Sequence, residues 1–254
     1  MICHPLRQAE AIAAGMAAPR GLHGRELLDA MHQAGVNVHK YQDATMDAFD
    51  PTHDPEALGA AQAWLAEWEA TRRDPYPRRP WAYFYGAGSG HYDNGRVKLG
   101  QLGNGKTMLQ VAMARQLLEA GSLSPKRFRF VTMEALLLEA EATFRAQADD
   151  SELKMLRRYE RPDLLIVDEV GVREQPSSHA IRILDELTKR REGKATLWTA
   201  NLSVSTLMKL GEGMKRIGSR IGGECGDGAC YAVQFFGPDR RRARSLMGRE
   251  RSVA

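Results

Sequence analysis

From Trp81 onward the apolar positions follow two alternating rhythms. The short runs "WAYFYG", "RFRFVTM", "PDLLIVDEVG", "ATLWTAN" and "CYAVQFFG" are strand-length, rich in aromatic and branched residues, and bounded by Gly, Pro, Asn or Asp. Between them, "TMLQVAMARQLLEAG", "EALLLEAEATFRAQ", "SSHAIRILDELTKRREG", "SVSTLMKLGE" and "MKRIGSRIGGE" space their apolar residues as helices do. Strands that alternate with helices predict an α/β fold, a central parallel sheet with helices on both faces. Upstream the pattern is helical only. "RQAEAIAAGMAA" and "GRELLDAMHQAG" are two short pieces broken by "PRGLHG", and a longer helix follows "DPTHDPEAL", where an Asp cap and a first-turn Pro are expected. Ala60, Trp64, Leu65, Ala66 and Trp68 are predicted to form its apolar stripe. "RRDPYPRRP" reads as a linker. The organisation is therefore a helical N-terminal segment over 1–35, a lead-in helix and linker over 36–80, the α/β domain over 81–245 and a basic tail over 246–254.

Composition narrows this picture modestly. A chain of 254 residues, 43% hydrophobic and 27% charged, is an ordinary globular one. Its net charge of +4 permits a polyanionic partner without requiring one. From Gly237 to the end there are six arginines against two acids, an excess equal to the charge of the whole chain, and Arg249 and Arg251 read as a solvated terminus. The three cysteines (Cys3, Cys225, Cys230) make neither a zinc cluster nor a disulfide framework, which points to a reducing, cytoplasmic compartment. "AIAAGMAA" is too short, and too closely flanked by Arg7 and Glu10, for a membrane span. No membrane role is expected.

The chemistry is concentrated in four places. Gly100, Gly103, Gly105, Lys106 and Thr107 fit G-x-x-x-x-G-K-[ST] and are followed at once by a helix. Glycines in such a loop let backbone N–H groups turn in around phosphate oxygens, the lysine reaches the terminal phosphates, and the threonine hydroxyl binds magnesium. Asn104 and Met108 fall within and just after this loop and are counted with the nucleotide-binding residues. "LLIVDE" ends a buried strand in two carboxylates. Asp168 there is a candidate magnesium ligand and Glu169 the group that polarises an attacking water, because ligands bind at the carboxyl ends of parallel strands. "TLWTANLS" places Asn201 at the end of a further strand, where a polar side chain orients water or senses a terminal phosphate. In "KRIGSRIGGE", Arg216 and Arg220 lie four apart on one helix face. Either is a candidate to reach a neighbouring subunit's phosphates as an arginine finger, a role that suits Arg better than Lys. Taken together, the loop and the acidic strand tip read as a nucleoside triphosphatase.

In combination these segments resemble the bacterial DnaC/IstB group of AAA+ ATPases, which contains replicative helicase loaders and transposition helper ATPases. "YQDATMDAFDP" with its following helix, "GQLGNGKT", "RFVTMEALL", "PDLLIVDEVGV", "TLWTANLS", "RIGSRI" and "FFGPDRR" occur in the family's order over roughly residues 35 to 245. The resemblance implies ATP or ADP with Mg2+ as ligands, and self-association into a ring or spiral. It further implies single-stranded DNA binding and delivery or opening of a hexameric replicative helicase. Its alternatives are an IstB-like helper acting on double-stranded DNA, or a nucleotide-gated binding module that hydrolyses little. By motif position Lys106 and Thr107 are Walker A, Asp168 and Glu169 Walker B, and Asn201 sensor one. Arg220 matches the arginine finger, with Arg216 second. Arg241 matches the arginine that closes on nucleotide from the C-terminal side, although Arg240 stands where the family carries an aromatic, which leaves Arg241 and Arg242 hard to separate.

Two points stay open on the sequence. "WAYFYG" stops well short of the loop it is expected to feed; "WAYFY" is taken as the central strand, with residues 87–99 looping out and "YDNG" as a tight turn within them. Arg145, Lys154, Arg157 and Arg158, with Phe144 and Tyr159 as stacking aromatics, are equally a DNA-tracking face and a solvated one, since Glu152, Glu160 and "DDSE" dilute the charge.

Overall fold

A computed structural model describes residues 20–52, 54–74, 77–86, 90–91, 97–98, 102–145, 149–171, 176–226 and 231–239. In chain order the elements are α1 (Gly24–Gln33), α2 (Val38–Tyr41), α3 (Pro55–Ala70), β1 (Ala82–Gly86), β2 (Gly90–His91), β3 (Val97–Lys98), α4 (Lys106–Glu119) and β4 (Phe128–Thr132). They continue with α5 (Met133–Arg145), α6 (Asp149–Glu160), β5 (Leu164–Val170), α7 (Ser178–Arg190), β6 (Thr196–Ala200), α8 (Val204–Leu207), α9 (Glu212–Gly226) and β7 (Ala232–Phe235). None of these helices is long and apolar enough to cross a membrane.

The sheet has five strands in the order β4-β5-β6-β1-β7, all parallel. Strand alternation divides its side chains between two cores. Ala82 and Phe84 of β1, Leu164 and Ile166 of β5 and Leu197 of β6 pack with α1, α3 and α4. Tyr83, Leu165, Val167, Trp198 and Ala200 pack with α5 to α9 on the other face. "WAYFYG" is thus β1, held between β6 and β7, as the apolar run predicts. The excursion after it contains an antiparallel pair, Gly90 with Lys98 and His91 with Val97. The "YDNG" turn lies outside the described residues, as does the helical piece "RQAEAIAAGMAA".

The N-terminal elements are built into the sheet's first core. Leu27 and Met31 of α1 are buried there, and the backbone of Ala34 accepts from Phe130 N at 2.7 Å. On α3 the buried stripe is Ala57, Ala61, Trp64, Leu65 and Trp68. Ala60 is half-buried, and Ala66, expected in the stripe, is exposed, because two residues past Trp64 is about 200° round a helix. Pro55 occupies the first turn of α3 as expected, but the Asp54 side chain makes no cap. Its Oδ1 instead accepts from the backbone N–H groups of Phe236 (2.6 Å) and Gly237 (3.1 Å), fastening the chain beyond β7. The segment "SVSTLMKLGE" also departs from expectation: only Val204–Leu207 is helical, and Gly211, at φ 124°, separates it from α9.

Arg191, just past α7, is completely buried and gathers three parts of the fold. Its Nη1 donates to the carbonyls of Tyr159 (3.0 Å), Glu160 (3.1 Å) and Pro162 (2.9 Å), its Nε to Thr196 Oγ1 (2.9 Å) and its Nη2 to Ala195 O (2.5 Å). The end of α6 and the entries to β5 and β6 are thereby pinned together. Burial pulls the guanidinium pKa down to about 9, which still leaves it charged at neutral pH among carbonyl dipoles. Replacing Arg191 by Met strands those carbonyls without donors. The expected loss is about 3 kcal/mol or more, read as a fall in the urea midpoint of unfolding. Arg191→Lys, with its donors on a single nitrogen, should recover only part of it.

Candidate nucleotide-binding site

The loop entering α4 owes its shape to two glycines in the left-handed region, Gly103 at φ 68° and Gly105 at φ 98°. Gly105 stands at the N-cap position, so no side chain caps the helix, and its first turn carries no acidic residue. The first-turn N–H groups and the positive end of the helix dipole therefore face whatever binds there, an arrangement that suits an anion. Gly103 is required on a second count: a Cβ there would stand 1.9 Å from Asp239 Oδ1. The buried Lys106 donates from Nζ to Asn104 Oδ1 at 2.8 Å, and Asn104 Nδ2 donates to Phe235 O at 3.3 Å. Asn104 is thus a strut from the loop to the end of β7.

The acidic pair sits at an irregularity in β5. Pairing with β6 runs in register to Val167 and Trp198, then resumes at Val170 and Ala200, so one extra residue bulges from β5 at Asp168–Glu169. Glu169 has φ 61° and is the one non-glycine residue with positive φ among those described. Its side chain is exposed, while Asp168 is 5% exposed. Asp168 Oδ1 accepts from Thr107 Oγ1 at 2.8 Å and from the Thr199 hydroxyl, and Thr199 Oγ1 accepts from Glu169 N at 3.0 Å.

These groups share a cavity of about 570 Å³, within the usual range for a small-molecule site. Of the residues singled out in the sequence, Gly103, Gly105, Lys106, Thr107, Met108, Asp168, Glu169 and Asn201 line it. Asn104 does not; its buried side chain faces the protein. Gly100, Arg241 and Arg242 lie outside the described residues. Arg216 and Arg220, on α9, are not on the cavity wall. Arg220, expected as a projecting finger, is engaged within its own subunit: Nη1 donates to Asp185 Oδ1 (2.9 Å) and Thr188 Oγ1 (3.0 Å), and Nε to Glu192 Oε1 (2.6 Å). Arg216 is the more exposed of the two, 3.6 Å from Asp185 Oδ2. Burial pushes the Asp185 carboxyl up, but hydrogen bonds from Arg220 and Lys189 prevail and hold it below the usual carboxylate range.

Sequence reasoning missed the far wall and the strand residue between the acids and β1. Lys40, Tyr41, Asp43, Ala44 and Ala48 close the cavity from the N-terminal side, with the Lys40 ammonium 4.9 Å from the Tyr41 ring centroid. No local pattern in "HKYQDATMDA" signals a wall for a loop some sixty residues later; the signal was the segment's family likeness alone. Thr199 reads as one more buried strand residue.

Residues 92–210 match the family model of the IstB-like ATP binding proteins. That stretch, just under half of the chain, resembles the ATP-binding core of this family. Among solved structures, one of DnaI aligns over 87% of this chain and 96% of its own, with a TM-score of 0.55 and 19% identity. A DNA replication initiation factor aligns over 83% of this chain and 55% of its own, with a TM-score of 0.56 and 15% identity. DnaA from Aquifex aeolicus bound to AMPPCP shares the same coverage and identity at a TM-score of 0.52. This chain spans about half the length of those two initiators. At such identities the likeness concerns the fold: a five-stranded parallel sheet flanked by helices, as in P-loop AAA+ NTPases. No curated protein matches the sequence.

Gly103→Ala should be poorly tolerated on both counts, costing about 1–2 kcal/mol from backbone alone and weakening nucleotide binding by roughly tenfold. The added substitution Asp239→Ala relieves the collision but not the left-handed backbone. Titration with a fluorescent ATP analogue should therefore show the double variant between Gly103→Ala and wild type.

Proposed function

We propose that this chain is a cytoplasmic, helicase-loader-type ATPase that binds ATP with Mg2+, self-associates into a ring or spiral, engages single-stranded DNA and delivers or opens a hexameric replicative helicase. The observation that carries the ATPase reading is the convergence of Lys106, Thr107, Asp168, Glu169 and Asn201 on one cavity. The groups present fit the ligand: an uncapped helix start and a buried ammonium for phosphate, a hydroxyl and a carboxylate in contact as hard oxygen donors for magnesium. Magnesium, when bound, supplies neutralisation of charge on the phosphate oxygens. In this reading Lys106 and the N–H groups of α4 hold the phosphates, Thr107 and Asp168 hold the ion, Glu169 takes a proton from the attacking water and Asn201 orients it. Arg241 closes on the nucleotide from the C-terminal side. Residues 81–245 form the ATPase unit, 36–80 its lead-in, 1–35 the part that meets the partner, and 246–254 a basic tail.

Arg220 serves as the finger, which requires it to exchange Asp185 and Glu192 for a neighbour's phosphate on assembly. For DNA, Lys154 and Arg157 on α6 are exposed and Phe144 is 70% exposed, its ring 5.1 Å from that of His179. Arg158 pairs with Glu139 at 2.7 Å, and Tyr159 is buried with its hydroxyl on Glu139 Oε2, so Tyr159 is no stacking platform. The family match to IstB-like proteins favours a second reading, a transposition helper on duplex DNA. Nucleotide-dependent co-purification with a replicative helicase supports the loader; filaments on double-stranded DNA support the helper.

Turnover tests the core of both. Glu169→Gln should retain ATP binding while hydrolysis falls by about 100-fold or more, the usual contribution of a general base; equal and negligible rates in wild type and variant would favour a nucleotide-gated binding module instead. Arg220→Ala should be inactive alone. Mixed with Glu169→Gln, it should regain activity, because each subunit supplies what its neighbour lacks; a mixture as inactive as its parts would place the finger elsewhere.

A further inference from the structure

The parallel ladder between β5 and β6 is interrupted where the acids lie, and one side chain fills the interruption. Thr199 sits opposite the bulge, paired on its other side with Phe84 of β1. It is 2% exposed and does not depend on solvent for its hydrogen bonds. A threonine hydroxyl has one proton to give and lone pairs to receive. Here the proton goes to Asp168 Oδ1, and the N–H of Glu169 comes in at 3.0 Å. In an unbroken ladder that N–H would meet a backbone carbonyl of β6. The side chain of Thr199 takes over this task and so supports the left-handed backbone at Glu169, a conformation that costs about 1–3 kcal/mol and persists only where neighbours hold it.

We infer that Thr199 is a positioning residue of the site: its single hydroxyl fixes the rotation of the Asp168 carboxylate and the bulged backbone that aims Glu169 at the cavity. The inference rests on the ATPase reading for its consequence, though not for its geometry. With Oδ1 of Asp168 held by the hydroxyls of both Thr107 and Thr199, the carboxylate plane is set from two sides, one on α4 and one on β6. The direction of its second oxygen follows. The same hydroxyl sets where the chain turns at Glu169. The two acids are thus placed together by one buried group at the cavity wall.

Three substitutions separate this role from packing. Thr199→Val keeps the shape and removes the hydroxyl, while Thr199→Ser and Thr199→Ala both remove the methyl group and differ only in the hydroxyl. Two measurements are made: turnover kinetics, giving kcat and KM for ATP, and a titration giving the Mg2+ concentration that half-saturates the magnesium-dependent gain in affinity for a fluorescent ATP analogue. Thr199→Val and Thr199→Ala should lower kcat about 10–100-fold and raise the half-saturating Mg2+ by a similar factor, with affinity for the magnesium-free analogue unchanged. Thr199→Ser should stay near wild type. If Val does not fold, the Ser and Ala pair decides alone. Equal behaviour of Ser and Ala, or a Val variant matching wild type in both measurements, overturns the inference. A wild-type protein that binds nucleotide with magnesium yet never turns over sinks the ATPase reading instead, and the magnesium titration still reads the role of Thr199.

Discussion

The hydrogen bond from Thr107 Oγ1 to Asp168 Oδ1 joins the first turn of α4 to the tip of β5, although β6 lies between β5 and the strand that leads to α4. The sheet order makes that contact a demand on everything around it. A loop returning from β1 has to carry the start of α4 across the carboxyl end of β6. The strand so crossed then lies beneath both partners, which is why a β6 side chain, Thr199, is in a position to touch Asp168 and Glu169 at once. A sheet with β1 directly beside β5 would bring the two motifs together with no strand between them to supply that hydroxyl. The site is thus a product of strand order before it is a product of any motif.

The same order explains why the loop needs anchors. The described part of the loop just before Lys106 is tied to β7 and the segment beyond it. Asn104 reaches Phe235, and Gly103 lies against Asp239. The segment beyond β7 is in turn fastened by Asp54 at the head of α3. A cap residue has been diverted from its own helix to hold the strap that braces the phosphate loop. That use of Asp54 also accounts for the place of the N-terminal helices: they pack in the sheet's first core and supply Lys40, Tyr41 and Asp43 to the cavity, so the described part of the N-terminal half is a wall of the site.

Much of this was legible in the sequence because it rests on local rules. A strand buried on both faces has to be apolar without interruption, and "LLIV" is, up to the acids at its tip; a loop that wraps phosphate has to be glycine-rich, and "GQLGNGKT" is. Helix α3 was legible at Trp64, Leu65 and Trp68 but not at its alanines, where Ala66 is exposed and the buried Ala57 and Ala61 were not named, because alanine fits either face. The unread parts all depend on tertiary partners. Thr199 has the side chain of any β-branched strand residue until a bulge forms opposite it. Asp54 looks like a cap until β7 arrives. Arg191 looks like the charged end of an amphipathic helix and turns out to be a fully buried node, since the carbonyls that hold it come from residues 159–162 and 195.

Arg220 shows how a right residue type leaves its state undetermined. Spacing put Arg216 and Arg220 on one face of α9, and they are; what spacing cannot convey is that Asp185, Thr188 and Glu192 present acceptors to that face. The side chain of Arg220 is 19% exposed, so its ion pairs are less screened than open surface pairs, and the depressed pKa of Asp185 records how firmly the cations are held. Any role for Arg220 beyond its own subunit must therefore begin by giving up three acceptors. A neighbour's phosphate, with more charge than either carboxylate, is the kind of competitor able to draw it away, whereas a neutral surface is not. In the proposed finger role the subunit holds this guanidinium stowed, and an exchange of partners on assembly would complete a neighbour's site by the movement of one side chain.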